Sequence, residues 1–346
     1  MKLLLLVPQY LDLYKPIIEE LKNQGNKVEV IFDEQIPKDP YKRCQGMQVI
    51  KQLIKKIVFW YIIRKYWKTK IKEENVLNLY YDIFLCIDGC SFDNYLLKKL
   101  KNVNPSIRSI IYLWDTSKYY DFIRNIKYFD KVLSFDIEDC HKYNMIYLPF
   151  YWKPTNVQSP NILYKMSIIG SNHDGRLEIV EKIAKQLDEN NLNYYFKLYM
   201  PQRSLKHHEV KSLNKAIKEK DFSNVRYYKP LSGEVNSDFI TNNVISVDEV
   251  NRIISQSEII FDTDRKSQTG TTPRLIWALA MGKKIVTTNE NIMRMPFYNA
   301  EYISIIDRDN PILDMNFIHS NTSQSKQFSL IMPYRIDNWI KSILSE

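Results

Sequence analysis

The chain has 346 residues, 45% of them hydrophobic and 26% charged, with only 8 glycines; this composition fits a globular chain long enough for two domains and excludes a fibrous or low-complexity one. The formal charge is +9, but ten Lys or Arg and no acid fall between Lys42 and Lys72, so the rest of the chain sums to −1. A nucleic-acid groove spreads its charge over the fold, so this pattern argues for one basic surface and against nucleic acid as a partner.

The opening, Lys2 to Val7, is a short apolar run ended by Pro8-Gln9 and predicts a buried strand rather than a signal peptide. A loop over Pro8 to Tyr14, a helix to about Asn23, a turn at Gly25-Asn26 and a strand from Lys27 to Phe32 follow. This β-α-β opening predicts a doubly wound domain. Its loops would place Gln9, Tyr10 and Asp12 near any site.

The basic segment, about 47–72, begins as an amphipathic helix. Val49, Ile50, Leu53, Ile54, Ile57 and Val58 recur at helical spacing against Lys51, Gln52, Lys55 and Lys56. Phe59, Trp60, Tyr61, Arg64, Lys65, Tyr66, Trp67 and Lys68 continue it. Lys and Arg mixed with aromatics beside an apolar face suit a helix lying in a membrane interface. The expected partner is an anionic membrane surface, met by Lys51, Lys55, Lys56, Arg64, Lys65 and Lys68. The plainer alternative is a core-packed helix with a solvated basic side. No stretch reaches the ~18 consecutive apolar residues of a spanning helix.

Strands are then predicted at Tyr81–Ile87, Ser109–Leu113, Asp130–Phe135 and Ile146–Leu148, with a helix from Asn94 to Leu100. Two strands lead into an acidic residue, Asp88 and Asp115, each equally suited to a turn or a helix cap. The cysteines, Cys44, Cys86, Cys90 and Cys140, form no C-x-x-C pair and read as free thiols in a reducing compartment. Pro149 to Asn161, with three prolines, reads as a linker.

The second half repeats the pattern. A strand from Lys165 to Ile169 meets a loop, Gly170 to Arg176, and a helix to about Asn190. Strands follow at Tyr194–Tyr199 and Val225–Tyr228, a helix capped by Ser246 over Val247–Ser257, and a strand Glu258–Phe261 ending in Asp262-Thr263-Asp264. That Asp-x-Asp spacing is used by some transferases to hold a divalent metal, but two strand-end aspartates are the preferred reading and no metal is assigned.

Gln268 to Asn289 carries the sharpest local signal. A Gly/Thr loop leads into an apolar helix ending at Gly282, then into a strand over Lys284–Thr288. Thr271 or Thr272 can cap the helix, Pro273 suits its first turn, and Gly282 suits its C-terminal left-handed position. A free helix N-terminus favours an anion such as phosphate, and Arg274 adds a planar fork for it. A final amphipathic helix is predicted within Phe328–Leu344.

Taken in order, Tyr112-Leu113-Trp114-Asp115, Phe129-Asp130, Phe135-Asp136, the Gly170–Arg176 loop, Gln268-x-Gly270-x-Thr272-x-Arg274, Gly282–Asn289 and Ile305-Ile306-Asp307-Arg308 resemble the bacterial lipopolysaccharide and capsule glycosyltransferase-like proteins. The resemblance implies two doubly wound Rossmann-like α/β domains facing a cleft (GT-B). Residues 1–150 would be the acceptor side, 151–327 the nucleotide-sugar side, and 328–346 a helix able to cross back. It also implies a cytoplasmic enzyme, peripheral on the inner face of the cell membrane. Such an enzyme moves a sugar from a nucleotide-sugar donor to a lipid-linked surface glycan without a resident cofactor. Gly170, Arg176, Gln268, Gly270, Thr271, Thr272 and Arg274 are then the donor-site candidates. Asp115, with Asp88 second, is the candidate base. Where similar proteins carry a Glu three residues after the Arg, this chain has Trp277. The rival readings are a sugar- or glycerol-phosphate transferase, for which His173 is the histidine in a predicted phosphate loop, and a non-catalytic membrane-associated scaffold.

Overall fold

A computed structural model describes residues 1–9, 12–33, 49–89, 92–118, 122–155, 161–200, 238–265, 268–321 and 324–346. For helix residues 49–60, 124 and 324–326 it describes the backbone alone. Tyr10, Cys44, Cys90, the strand expected at Val225–Tyr228 and part of the linker lie outside the described residues, as do the side chains of Lys51, Lys55 and Lys56.

The chain divides into two units. The first is Met1–Lys153 with Gln268–Gly270 and Pro333–Glu346; the second is Pro154–Ser267 with Thr271–Met332. Each has its own parallel sheet of six strands among the described residues.

In the first unit the strands are β1 (Lys2–Pro8), β2 (Lys27–Asp33), β3 (Ile83–Ile87), β4 (Arg108–Leu113), β5 (Lys131–Ser134) and β6 (Ile146–Tyr147), in the order β2-β1-β3-β4-β5-β6. The central strands are apolar on both faces, which suits a parallel sheet covered by helices. Leu3 to Val7 and Ile83 to Ile87 are all buried. The helices are α1 (Tyr14–Asn23), α2 (Val49–Glu73), α3 (Asn94–Val103), α4 (Ile123–Ile126) and α5 (Ile137–Tyr143).

The basic segment is indeed one helix, but its second half is core-packed. Ile63, Trp67 and Ile71 are buried with Phe84, Phe92 and Leu96 in the first unit's core. The opposite side carries Tyr61, 68% exposed, with Lys65, Lys68 and Lys72. Arg64, expected on the membrane-facing side, instead grips Asp93, the N-cap of α3, with Nε 2.7 Å from Oδ1. A bidentate pair with a buried carboxylate outweighs solvation for an arginine placed at the flank of a packed helix.

In the second unit the strands are β7 (Tyr164–Ser171), β8 (Tyr194–Tyr199), β9 (Ile240–Thr241), β10 (Ser257–Asp262), β11 (Lys284–Thr287) and β12 (Ile303–Ile305), in the order β12-β11-β10-β7-β8-β9. The helices are α6 (Arg176–Glu189), α7 (Val247–Ser255), α8 (Pro273–Ala280), α9 (Met315–His319) and α10 (Gln324–Ile331). Ser246 caps α7, accepting from Glu249 N at 3.2 Å.

The last predicted helix is broken in two. α10 ends at Ile331, a tight turn spans Met332–Tyr334, and α11 runs from Ile336 to Leu344. Pro333 removes an N–H and clashes with the preceding turn, so one continuous helix is excluded. α11 belongs to the first unit, where Trp339 is buried and donates from Nε1 to Pro149 O at 2.9 Å. Its C-terminal carbonyls are held by Lys131, whose Nζ lies 2.8 Å from Ser342 O and 2.9 Å from Ser345 O. Burial, with Arg108 nearby, pulls the Lys131 pKa down from its usual 10.5. Replacing this cation by an isosteric apolar chain leaves those carbonyls unsatisfied. Lys131→Met should therefore cost about 1–3 kcal/mol of stability, read as a lower midpoint in urea denaturation.

Candidate anion site

A doubly wound sheet binds ligands outside the carboxyl ends of its strands, where the strand order reverses. In the second unit the order reverses between β7 and β10, which are paired directly. β7 ends in Gly170-Ser171 and β10 in Asp262, so the loops leaving these two strands define the place.

Two arginines meet there over Gly170. A Cβ built on Gly170 would stand 2.8 Å from Arg274 Nη1 and 2.9 Å from Arg176 Nη1. Gly170 is thus required for space rather than for an unusual φ. Arg274 donates from Nη1 to Ile169 O and from Nη2 to Asp262 Oδ1. Arg176 donates from Nη1 to Ser171 O at 2.7 Å and from Nη2 to Thr263 O. Arg176 is 4% exposed, and its pKa is pulled down to about 9, first by burial and then by the neighbouring Arg274 charge. It remains a cation at neutral pH.

Local structure explains how both residues arrive. Asp174 and Gly175 take left-handed backbone angles, φ 52° and 75°, which turn the chain so that Arg176 opens α6. Thr272 caps α8, accepting from Leu275 N at 3.3 Å, with Pro273 in the first turn. The same Thr272 hydroxyl donates to Asp262 Oδ1 at 2.8 Å. Gly282, φ 69°, follows the helix and precedes β11.

The carboxylates of the Asp-x-Asp pair are turned to arginines. Asp262 faces Arg274, and Asp264 Oδ1 lies 3.4 Å from Arg308 Nη1. Burial beside Asp262 pushes the Asp264 pKa up to about 7. His173 is pulled down to about 4, chiefly by burial, so its imidazole is neutral; its Nδ1 lies 3.4 Å from Asp174 Oδ2. No group of three or more potential metal-ligating side chains occurs among the described residues.

Among the described residues eight buried side-chain polar atoms have no hydrogen-bond partner, and five are in these elements: Nε of Arg176, Arg274 and Arg308, Nδ1 of His173 and Oγ1 of Thr271. Buried polar atoms are nearly always paired in native proteins, so such a concentration needs a cause. Three guanidiniums with unspent donors beside the N-terminus of α8 have the chemistry an anion would match, which makes this the candidate anion site.

The predicted site residues thus separate. Gly170, Arg176, Thr271, Thr272 and Arg274 lie together in the second unit, and Gln268 and Gly270 belong to the first. Asp136 Oδ2 accepts from Thr269 N at 3.0 Å and Gly270 N at 3.3 Å. The Gly270 N–H, expected to be free for phosphate, is therefore engaged by a carboxylate. A Cβ on Gly270 would sit 2.4 Å from the Phe135 ring, so this glycine is set by packing. Arg308, Thr263, Thr288, Asp262 and Asp264 were not foreseen as site residues. Each follows or ends a strand, and that position is the signal that marks them.

In the first unit the strand order reverses between β1 and β3. Asp88 follows β3 with φ 68°, is buried, and its N–H donates to Tyr112 O at 2.8 Å. Asp115 is half-buried, one strand further along after β4. Its neighbours are held by Asp139, whose Oδ2 accepts from Ser117 N at 2.6 Å and Thr116 Oγ1 at 3.1 Å.

No protein-family model and no curated protein matches the chain. Solved structures do. A UDP-forming alpha,alpha-trehalose-phosphate synthase from Burkholderia vietnamiensis aligns over 100% of this chain and 99% of its own, at TM-score 0.61 and 7% identity. A trehalose-6-phosphate structure from E. coli bound with UDP-2-fluoro glucose aligns over 100% and 98%, at 0.56 and 10%. AviGT4, a glycosyltransferase involved in avilamycin A biosynthesis, aligns over 99% and 95%, at 0.55 and 10%. At these identities the likeness is one of fold: the chain has the α/β architecture of two Rossmann-like domains found in GT-B glycosyltransferases.

Two outcomes follow. Gly170→Ala pushes a methyl against both guanidiniums and should cost about 1–3 kcal/mol, as overpacking does, measured by urea denaturation. Asp264 links stability to pH. The unfolded carboxyl ionises near 3.8 while the folded one keeps its proton to about 7. Raising pH through that window therefore removes stability, and the loss levels off above it. Asp264→Asn should abolish this component, seen as a flatter curve of melting temperature against pH than the wild type gives between 4 and 7.

Proposed function

We propose that the protein is a glycosyltransferase that uses a nucleotide-sugar donor, with the donor diphosphate held at the second unit's strand reversal. The observation that carries this is the convergence of Arg176, Arg274 and Arg308 there, each with an unpartnered buried Nε. The GT-B fold supports the reading, and the E. coli structure of that fold holds a UDP-sugar analogue.

In the reaction, an acceptor hydroxyl oxygen attacks the anomeric carbon. The bond from that carbon to the diphosphate oxygen breaks, and the nucleoside diphosphate leaves with the electron pair. Negative charge grows on the leaving group, and a fixed cluster of guanidiniums and a helix N-terminus stabilises it. This reading gives that work to Arg176 and Arg274 rather than to a metal ion. A base takes the hydroxyl proton. Asp115, half-buried after β4, is the proposed base, and Asp88 the second choice.

The proposed acceptor is a lipid-linked surface glycan of the lipopolysaccharide or capsule kind, met at the inner face of the cell membrane. What supports it is the exposed side of α2, where Tyr61 stands with Lys65, Lys68 and Lys72. An aromatic ring and lysines on one side of a helix suit the interface of an anionic leaflet. No described helix is long and apolar enough to cross a membrane.

A phosphotransferase resting on His173 is less well supported. An imidazole with a pKa near 4 is neutral but a weak base.

A thermal-shift panel of UDP, GDP, ADP, CDP and CMP tests the donor. One diphosphate should raise the melting temperature, by the equivalent of about 2.7 kcal/mol at a hundredfold excess over Kd. A preference for CMP would favour the phosphotransferase, and no response at all would favour a scaffold. With the donor known, Asp115→Asn should abolish turnover and leave donor binding within twofold; retained turnover would move the base to Asp88.

A further inference from the structure

Arg308 gathers the strand ends of the second sheet. It follows β12, and its acceptors come from the loops after three other strands. Nη2 donates to Asp174 O, after β7, at 3.1 Å. Nη1 lies 3.1 Å from Thr263 Oγ1 and 2.9 Å from Asp264 O, both after β10, and 3.3 Å from Thr288 Oγ1, after β11. The Thr288 hydroxyl in turn donates to Thr263 Oγ1 at 2.9 Å. A lysine has one nitrogen and cannot reach acceptors on both sides of this span, whereas a planar fork can.

The consequence falls on the anion site. Asp174 and Gly175 form the left-handed turn that delivers Arg176, and Thr263 O is an acceptor of Arg176 Nη2. The turn that delivers Arg176 and one of its two carbonyl anchors, that of Thr263, are therefore tied to Arg308. Only 14% of the Arg308 side chain is exposed, and its Nε has no partner.

We propose that Arg308 is a positioning residue for a diphosphate-bearing ligand: its planar fork, and not its charge alone, holds the Asp174–Arg176 turn and the Thr263–Asp264 loop in the arrangement that binds the ligand. This rests on the strand reversal of the second unit being the donor site.

The test uses the full chain and inorganic pyrophosphate, titrated by calorimetry at a temperature where each variant is folded. Arg308→Lys keeps the charge and loses the fork; it should weaken pyrophosphate binding at least tenfold. Thr288→Val removes one acceptor and should weaken it several-fold. A residue that only supported folding would lower the ligand-free melting temperature and leave these affinities unmoved. Binding by Arg308→Lys within twofold of wild type would overturn the proposal, as would a wild type that does not bind pyrophosphate. Should Arg308→Lys fail to fold, Thr288→Val decides: unchanged affinity overturns it and a several-fold loss supports it. A wild type that binds pyrophosphate but none of the nucleoside diphosphates, with Arg308→Lys still impaired, sustains the role of Arg308 and defeats the glycosyltransferase reading.

Discussion

Two guanidiniums packed over one glycine are what the second unit is arranged around. Like charges placed together away from water repel and lose hydration, so they persist only where opposite charge and acceptors hold them. Asp262 supplies the charge, and the carbonyls of Ile169, Ser171 and Thr263 supply the acceptors. Those carbonyls come from the last residues of β7 and from the residue after β10, two directly paired parallel strands. The sheet's unspent backbone acceptors and the arginines' surplus donors therefore satisfy each other. What stays unsatisfied is the Nε of each arginine, and that spare donor capacity is what supports the proposed diphosphate site.

The same exchange, cation for strand-edge or helix-end carbonyl, recurs in purely structural form. Lys131 opens β5 and meets the carbonyls at the C-terminus of α11; Lys284 opens β11 and lies 2.8 Å from Ser320 O and 3.2 Å from Ile318 O, at the end of α9. Both lysines are buried. A helix C-terminus carries partial negative charge, so a buried ammonium there is stabilised without a carboxylate. The contrast with Arg176 is instructive. Each ammonium spends its donors on the helix end, while the arginines hold a donor in reserve.

Much of this was legible in the chain. The cap at Thr272, the proline after it and the left-handed Gly282 are local signals, because a cap depends on residues within a turn of one another. Gly170 and the two arginines were legible for a similar reason: a glycine after a strand and an arginine opening a helix are short-range patterns. Contacts between distant segments were not. Gly270 stands in the same loop as Thr272, yet its N–H goes to Asp136, 134 positions away, and Phe135 covers it. Arg308 meets Asp174 across a similar interval. A one-dimensional pattern carries propensity and periodicity, and neither states which far residue fills an acceptor.

The basic helix shows how two readings of one pattern can both hold. Trp67 and Ile71 face the core, and Lys65, Lys68 and Lys72 face water, within the same turns. The absence of acids in that segment suits an anionic partner. Part of the answer lies elsewhere in the fold, since Asp93 supplies the carboxylate that Arg64 needs from the N-cap of α3. Asp93 is itself buried and accepts from Tyr95 N at 2.7 Å, so one carboxylate serves a helix end and an arginine together. The lysines have no such partner supplied by α3's cap. They remain on the solvent side with Tyr61, and it is this residual stripe, narrower than the whole basic segment, that an anionic surface would have to recognise.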